Sequence, residues 1–188
     1  MDLINKKYDS IWDASKETIV FTGSSSIRLW SDIQDLFPEK QVINSAFGGS
    51  ETIDLLFFSD DVILKYKPKK VFIYEGDNDI SHKKKIKEIL NSFSEIISKI
   101  KNQDTTTHIV IISPKPSISR WHLRRKYSRL NKSLRKICNE NDNLEFANVW
   151  DIMIENKKLK KELFINDGLH MNKDGYELWY TVIKNYVN

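Results

Sequence analysis

The sequence predicts a three-layer α/β/α domain built on a five-stranded parallel sheet, and three observations carry that prediction. Five short runs of β-forming residues recur along the chain, and two of them, Val71-Phe72-Ile73-Tyr74 and His108-Ile109-Val110-Ile111-Ile112, are nearly continuously apolar, as strands covered on both faces must be. Between the runs lie stretches whose apolar residues recur every three or four positions, the period of a helix with one buried side. Strands that alternate with helices pair in parallel, with the helices packed on the two faces of the sheet.

Taken in order, residues 1–17 read as a short amphipathic helix or arm that offers Tyr8, Ile11 and Trp12 to the domain. The first strand, 18–23, stops at Gly23 and is followed by Ser24, Ser25 and Ser26. Beyond them Leu29, Trp30, Ile33 and Leu36 predict a helix near 27–36 that ends before Pro38. A second strand at 41–44 leads into Ser45-Ala46-Phe47-Gly48-Gly49-Ser50, where adjacent glycines let the backbone turn sharply or come close to a ligand. A helix over 52–66, with Ile53, Leu56, Phe57, Val62 and Ile63 mostly on one side, is stopped by Pro68.

The third strand, 71–74, delivers Glu75-Gly76-Asp77-Asn78-Asp79 at its end. The helix at 83–101 shows the cleanest amphipathic spacing, with Ile86, Ile89, Leu90, Phe93, Ile96, Ile97 and Ile100. The fourth strand, 108–112, runs into the proline-bracketed loop Ser113 to Arg120. A helix at 122–140 carries Tyr127, Leu130, Leu134 and Ile137, and 144–149 reads as the fifth strand. An irregular segment reaches Asp167-Gly168-Leu169-His170, and a helix at 173–187 closes the chain; Trp30, Trp150 and Trp179 read as core.

Composition excludes several classes. The 188 residues suit a single domain over 1–188 that buries roughly 70% of its unfolded surface. No apolar run approaches the ~20 residues of a membrane helix, and Met1 to Lys7 has no apolar core, so a cytoplasmic protein without a membrane span is expected. One cysteine, Cys138, excludes an internal disulfide and a cysteine-rich metal site, and reads as a small buried hydrophobe. The net charge is +4, and the densest runs, Lys83-Lys84-Lys85 and Arg124-Arg125-Lys126, read as solvated helix faces, so no nucleic-acid partner is expected. No His-x-x-x-His pair occurs and Glu75, Asp77 and Asp79 read as a strand-end turn, so neither a metal nor a cofactor is expected. The oligomeric state is left open.

The chemistry gathers at strand ends. The turns at Ser24 to Ser26, Gly48-Gly49 and Gly76 to Asp79 each follow a parallel strand and therefore share the sheet edge where such folds bind ligands. A serine entering a helix there suits either a nucleophile or an anion site. Acyl transfer needs a nucleophile, a base, an acid to orient the base, and donors for the carbonyl oxygen. The strand ends supply a serine, backbone N–H groups and an asparagine amide; His170, with Asp167 three residues before it on one turn, supplies the rest.

Four blocks in order give the chain its likeness. Gly23-Ser24-Ser25-Ser26, Asn44 to Gly49, Gly76-Asp77-Asn78-Asp79 and Asp167-Gly168-Leu169-His170 resemble the four blocks of the SGNH hydrolases, also called GDSL esterases and lipases, over nearly the whole length. The Gly-Ser-Ser-Ser-Ile-Arg-Leu-Trp form is similar to a bacterial subgroup. The resemblance implies a flavodoxin-like SGNH hydrolase fold and hydrolysis of a carboxylic ester through an acyl-enzyme, on a short acyl or acetyl ester, on a sugar or a lysophospholipid. It implies Ser25 as nucleophile, His170 as base, Asp167 as orienting acid, and the Ser25 amide, Gly49 and Asn78 as the oxyanion hole, with Gly48 the neighbouring candidate. Ser24 departs from the aspartate of the family's name without touching that set.

Other residues receive blander readings. Asp79 is expected to tie its own turn together, and His82, His108 and His122 are expected to be structural. Arg120 and Trp121 are expected either to line the substrate pocket, where the arginine would meet an anionic or sugar-like group, or to anchor their loop by packing. Two rival functions stay in view. One is a flavodoxin-like module binding an anion at Gly23 to Ser26, which leaves Asp167 and His170 unexplained; the other is a catalytically silent carbohydrate- or partner-binding relative.

Overall fold

The structure, a computed structural model, describes residues 8–187. Five strands, β1 (Thr18–Gly23), β2 (Gln41–Asn44), β3 (Lys70–Tyr74), β4 (His108–Ile112) and β5 (Leu144–Ala147), form one sheet in the order β2-β1-β3-β4-β5. All four pairings are parallel. Because successive side chains of a strand face opposite ways, the apolar runs serve two cores. Val20, Val71, Ile73, Ile109 and Ile111 pack against Ile89, Phe93 and Ile96 of α5 (Ile86–Gln103) and Leu130 and Leu134 of α6 (Arg124–Asn139). Phe21, Phe72, Tyr74, Val110 and Ile112 pack on the other face, against Ile27 of α1 (Ser25–Arg28) and Trp179 and Ile183 of α7 (Lys173–Ile183).

The chain leaves β1 for β2 on one side and returns to β3 on the other, so the topological switch point lies between the carboxyl ends of β1 and β3. Gly23 makes that junction possible. It is paired with Tyr74 at φ +123°, and a Cβ there would stand 2.0 Å from the Tyr74 carbonyl oxygen. Only a glycine brings the serine turn this close to the end of β3.

Strands and the two long helices lie close to where periodicity puts them; the helices near the site do not. The helix expected over 27–36 is only α1, Ser25–Arg28, followed by turns. The Asn44 side-chain amide donates to the carbonyls of Ile27 (2.8 Å) and Trp30 (3.4 Å), taking up helix-end acceptors early, while Trp30 and Ile33 are still buried. The helix expected over 52–66 is divided into α2 (Thr52–Phe57), α3 (Ser59–Val62) and a 3₁₀ turn at Leu64–Tyr66. Its buried side is the apolar stripe only at the far end: Val62 and Ile63 are buried, but Ile53 is 52% and Phe57 77% exposed, and Thr52, Leu55 and Ser59 are buried in their stead. Thr52 faces inward because Asp79 accepts from its N–H and its hydroxyl, and the Ser59 hydroxyl donates to the Leu56 carbonyl.

Smaller differences have similar causes. β5 ends at Ala147 rather than 149, because the Val149 and Trp150 N–H groups donate to Ser113 Oγ. The irregular segment holds a two-residue hairpin, β6 (Ile154–Glu155) and β7 (Lys158–Leu159), and α7 gives way to a 3₁₀ turn at Lys184–Tyr186. Trp30 and Trp179 are fully buried, but Trp150 is half-buried, stacked between Trp121 and Tyr127. Of the predicted arm, residues 1–7 lie outside the described residues; Tyr8 is buried and Trp12 packs edge-on against Tyr66, but Ile11 is exposed. Cys138 is buried, its thiol donating to the Glu145 carbonyl, and burial pushes it up to about 12. Among the described residues no helix is long and apolar enough to cross a membrane.

Candidate active site

The serine turn enters the site through α1, which begins at Ser25 rather than two residues later. Ser24 is buried, and its N–H donates to the Tyr74 carbonyl, locking the turn to the end of β3. Ser25 is the partly open member of the three serines; Ser26 is buried, and its carbonyl accepts from the hydroxyl of Tyr176 on α7.

Ser25 Oγ lies 2.9 Å from Nε2 of His170, 145 residues away in sequence. Nδ1 of the same ring is 2.6 Å from Asp167 Oδ2. The other carboxylate oxygen, Oδ1, accepts from the backbone N–H groups of Leu169 (2.8 Å) and His170 (2.9 Å). Burial opposes its ionisation, but those amides and the His170 ring outweigh it and bring Asp167 down to about 2. An ionised Asp167 can only accept, so Nδ1 carries the proton and Nε2 is left to accept from the Ser25 hydroxyl. Gly168, at φ +64°, makes the turn that puts both side chains on one side, and Ile118 packs against it.

The glycine block follows β2 and lies beside the serine turn, the Phe47 N–H donating to the Gly23 carbonyl at 2.9 Å. Gly49 has φ +79° and open space where a side chain would stand, whereas a Cβ on Gly48 would come within 3.0 Å of Arg28 Nε. Among the described residues the backbone N–H groups of Ser25 and Gly49 have no protein acceptor. The block is tethered beneath: Ser50 Oγ donates to Glu75 Oε1 at 2.5 Å, and the Ser50 carbonyl accepts from Asn78 Nδ2 at 2.8 Å. Glu75 is wholly buried with like charges nearby, and burial raises its carboxyl well above the usual range.

Asn78 lies in α4 (Asp77–Ser81), immediately beyond β3, and is 8% exposed. Its neighbour Asp77 is buried under Arg120 Nη1 (2.6 Å), Tyr127 Oη (2.6 Å), Tyr74 Oη (2.9 Å) and Lys115 Nζ (3.7 Å). Burial opposes its ionisation, but Lys115 and Arg120 hold its carboxyl below the ordinary value. Lys115, itself wholly buried, donates to the Leu169 carbonyl at 2.6 Å, tying this knot to the histidine turn.

One expectation needs correction. Asp79 does not close its own turn alone: its carboxylate takes the N–H and hydroxyl of Thr52 and so clamps α4 to the helix after the glycine block. Arg120 reaches Asp77 and Asn78, which anchors its loop, and it also borders a cavity of about 450 Å³ with Asp167 and Leu169, while Trp121 stacks on Trp150 and lines a cleft of about 610 Å³ with Ile118 and Leu159. His82 bonds Glu51 at 2.7 Å, and His122 is exposed. Lys115 escapes sequence reasoning; a lysine between two prolines is its one signal, for the prolines stiffen the loop that carries it inward.

Comparison with known proteins places the fold and the family. In solved structures, a Streptococcus pneumonia protein provisionally assigned as a platelet activating factor superposes with a TM-score of 0.87 at 26% identity, over 100% of this chain and 92% of that one. A GDSL-like lipase from Bacteroides thetaiotaomicron gives 0.81 at 19% identity, over 96% and 95%. An acetylxylan esterase from Geobacillus stearothermophilus, solved as a catalytic mutant, gives 0.74 at 17%, over 90% and 93%. Curated proteins gave no match. The model of the GDSL-like lipase/acylhydrolase family matches residues 9–178, nearly the whole chain, so the protein belongs to that family and is a hydrolase acting on ester bonds.

Proposed function

We propose that the protein is a serine esterase that cleaves short acyl or acetyl esters through an acyl-enzyme. One observation carries the reading: Ser25 Oγ, His170 and Asp167 stand in a continuous hydrogen-bonded line at 2.9 and 2.6 Å, assembled from the two ends of the chain. His170 takes the Ser25 proton as the hydroxyl attacks the ester carbonyl, and Asp167 stays ionised and stabilises the imidazolium. The tetrahedral oxyanion is received by the N–H groups of Ser25 and Gly49 and by Asn78 Nδ2. His170 then protonates the leaving alcohol and activates the water that releases the acid. Support for a sugar-borne acetyl group comes from the acetylxylan esterase among the similar structures.

The test is hydrolysis of p-nitrophenyl acetate, butyrate and octanoate by the wild type, Ser25→Ala and His170→Ala. Turnover should fall by about 10⁴-fold or more in both folded variants, with acetate the best wild-type substrate. Hydrolysis that persists in folded Ser25→Ala removes the assignment.

A further inference from the structure

Asn78 is the one proposed oxyanion donor whose chemistry depends on which way it is turned. A side-chain amide has a donor end and an acceptor end of almost the same shape. Turned one way, Asn78 offers an N–H to a developing oxyanion. Flipped, it would present a carbonyl oxygen to a negative charge.

We infer that Arg120 is a positioning residue that selects the productive orientation of Asn78, and that buried Asp77 holds Arg120 in place to do so; the inference rests on the esterase reading above. Arg120 Nη2 donates to Asn78 Oδ1 at 3.0 Å, and the Ser50 carbonyl accepts from Asn78 Nδ2 at 2.8 Å. Neither partner can exchange roles, since a guanidinium has no acceptor and a backbone carbonyl no donor. A flipped amide would set N–H against N–H at Arg120 and oxygen against oxygen at Ser50. Both ends therefore enforce one orientation. Nδ2 has two hydrogens, so one remains after Ser50 is satisfied.

The rest of the cluster keeps the guanidinium from moving. Arg120 Nη1 donates to Asp77 Oδ1 at 2.6 Å, and Asp77 is 4% exposed. Tyr127 and Tyr74 donate to the same carboxylate, and the Tyr127 hydroxyl lies 3.0 Å from the Asp77 carbonyl oxygen as well. The guanidinium fork thus spans adjacent residues of one turn, its first arm on the Asp77 anchor and its second on the Asn78 amide. A lysine has one nitrogen and no such fork.

The experiment is a double-mutant cycle on p-nitrophenyl acetate between Arg120→Lys and Asn78→Ala, with thermal unfolding of each variant. Arg120→Lys keeps a cation beside Asp77 and should lose kcat on the order of 10²-fold, the scale of one oxyanion donor, with KM unchanged. In the Asn78→Ala background the same substitution should cost nothing further, because there is no amide left to orient. Full kcat in Arg120→Lys overturns the inference, and so does an equal loss with and without Asn78, the mark of a merely structural role. Should Arg120→Lys unfold, Arg120→Ala titrated with methylguanidinium takes its place: recovery of kcat that requires Asn78 supports the role, and recovery independent of Asn78, or none, overturns it. Failure of the esterase reading is distinct, since a wild type that neither hydrolyses the ester nor labels at Ser25 with a fluorophosphonate would fail before any Arg120 variant is measured.

Discussion

Two aspartates hold the two halves of the site, and they do so by opposite means. Asp167 has a side chain 43% exposed and is held by its own turn, through the amides of Leu169 and His170 and the His170 ring. Asp77 has a side chain 5% exposed and is held from afar, by Lys115, Arg120 and Tyr127, residues 38 to 50 positions further along the chain, besides its near neighbour Tyr74. The first is a local device in water that, in the proposed mechanism, sets the histidine tautomer. The second is a long-range device in the protein interior, where a lost counter-charge endangers the fold.

That contrast is sharpest in substitution. Asp167→Asn should lower kcat by about 10⁴-fold, because the amide no longer enforces the histidine tautomer, while its oxygen still accepts from the two backbone amides and leaves the urea midpoint nearly unchanged. Asp77→Ala should act chiefly on the fold, costing about 3–5 kcal/mol in urea unfolding by leaving Arg120 and Lys115 buried without their carboxylate, and through the freed Arg120 it should lower kcat by no more than about 10²-fold, the scale of one oxyanion donor. A stable Asp77→Ala or an unstable Asp167→Asn would break the comparison.

Lys115 belongs to both halves and gives an intermediate case. Lys115→Met keeps the length and leaves Asp77 with Arg120, but strands the Leu169 carbonyl, so a loss of about 1–3 kcal/mol is expected, with a smaller loss of kcat as the histidine turn loosens. The smallest effect is the acid limb of Asp167. Its value falls from 3.8 to about 2 on folding, so the stability it contributes is present above pH 3.8 and is lost as pH drops through about 2. Solvent screens a group this exposed. The difference in urea midpoint between wild type and Asp167→Asn should shrink only slightly, and only within that window.

Legibility followed the same division. Strands β3 and β4 and helix α5 were readable because their apolar patterns are set by burial along one element, a one-dimensional signal. Asp167 and His170 were readable for the same reason, being three residues apart on one turn. The helix after Ser25 was not, because what ends it is an amide on β2, Asn44. Nor was the buried side of α2, where Asp79 draws a threonine inward and leaves Phe57 in solvent. Arg120 had two readings, substrate contact or loop anchor, and neither foresaw that one guanidinium would hold both Asp77 and Asn78, because those partners lie 43 and 42 residues away in sequence.

By itself, then, the sequence determined the parallel sheet, its two apolar cores and the blocks that fall at strand ends, since each depends on residue type at fixed spacing along one element. Tertiary structure alone decided that Ser25 meets His170 across 145 residues, that Lys115 is buried, and that Arg120 faces Asn78. Those contacts depend on how separate elements come together, and the energy of a charge or an amide is set by what surrounds it in space rather than by its neighbours in the chain.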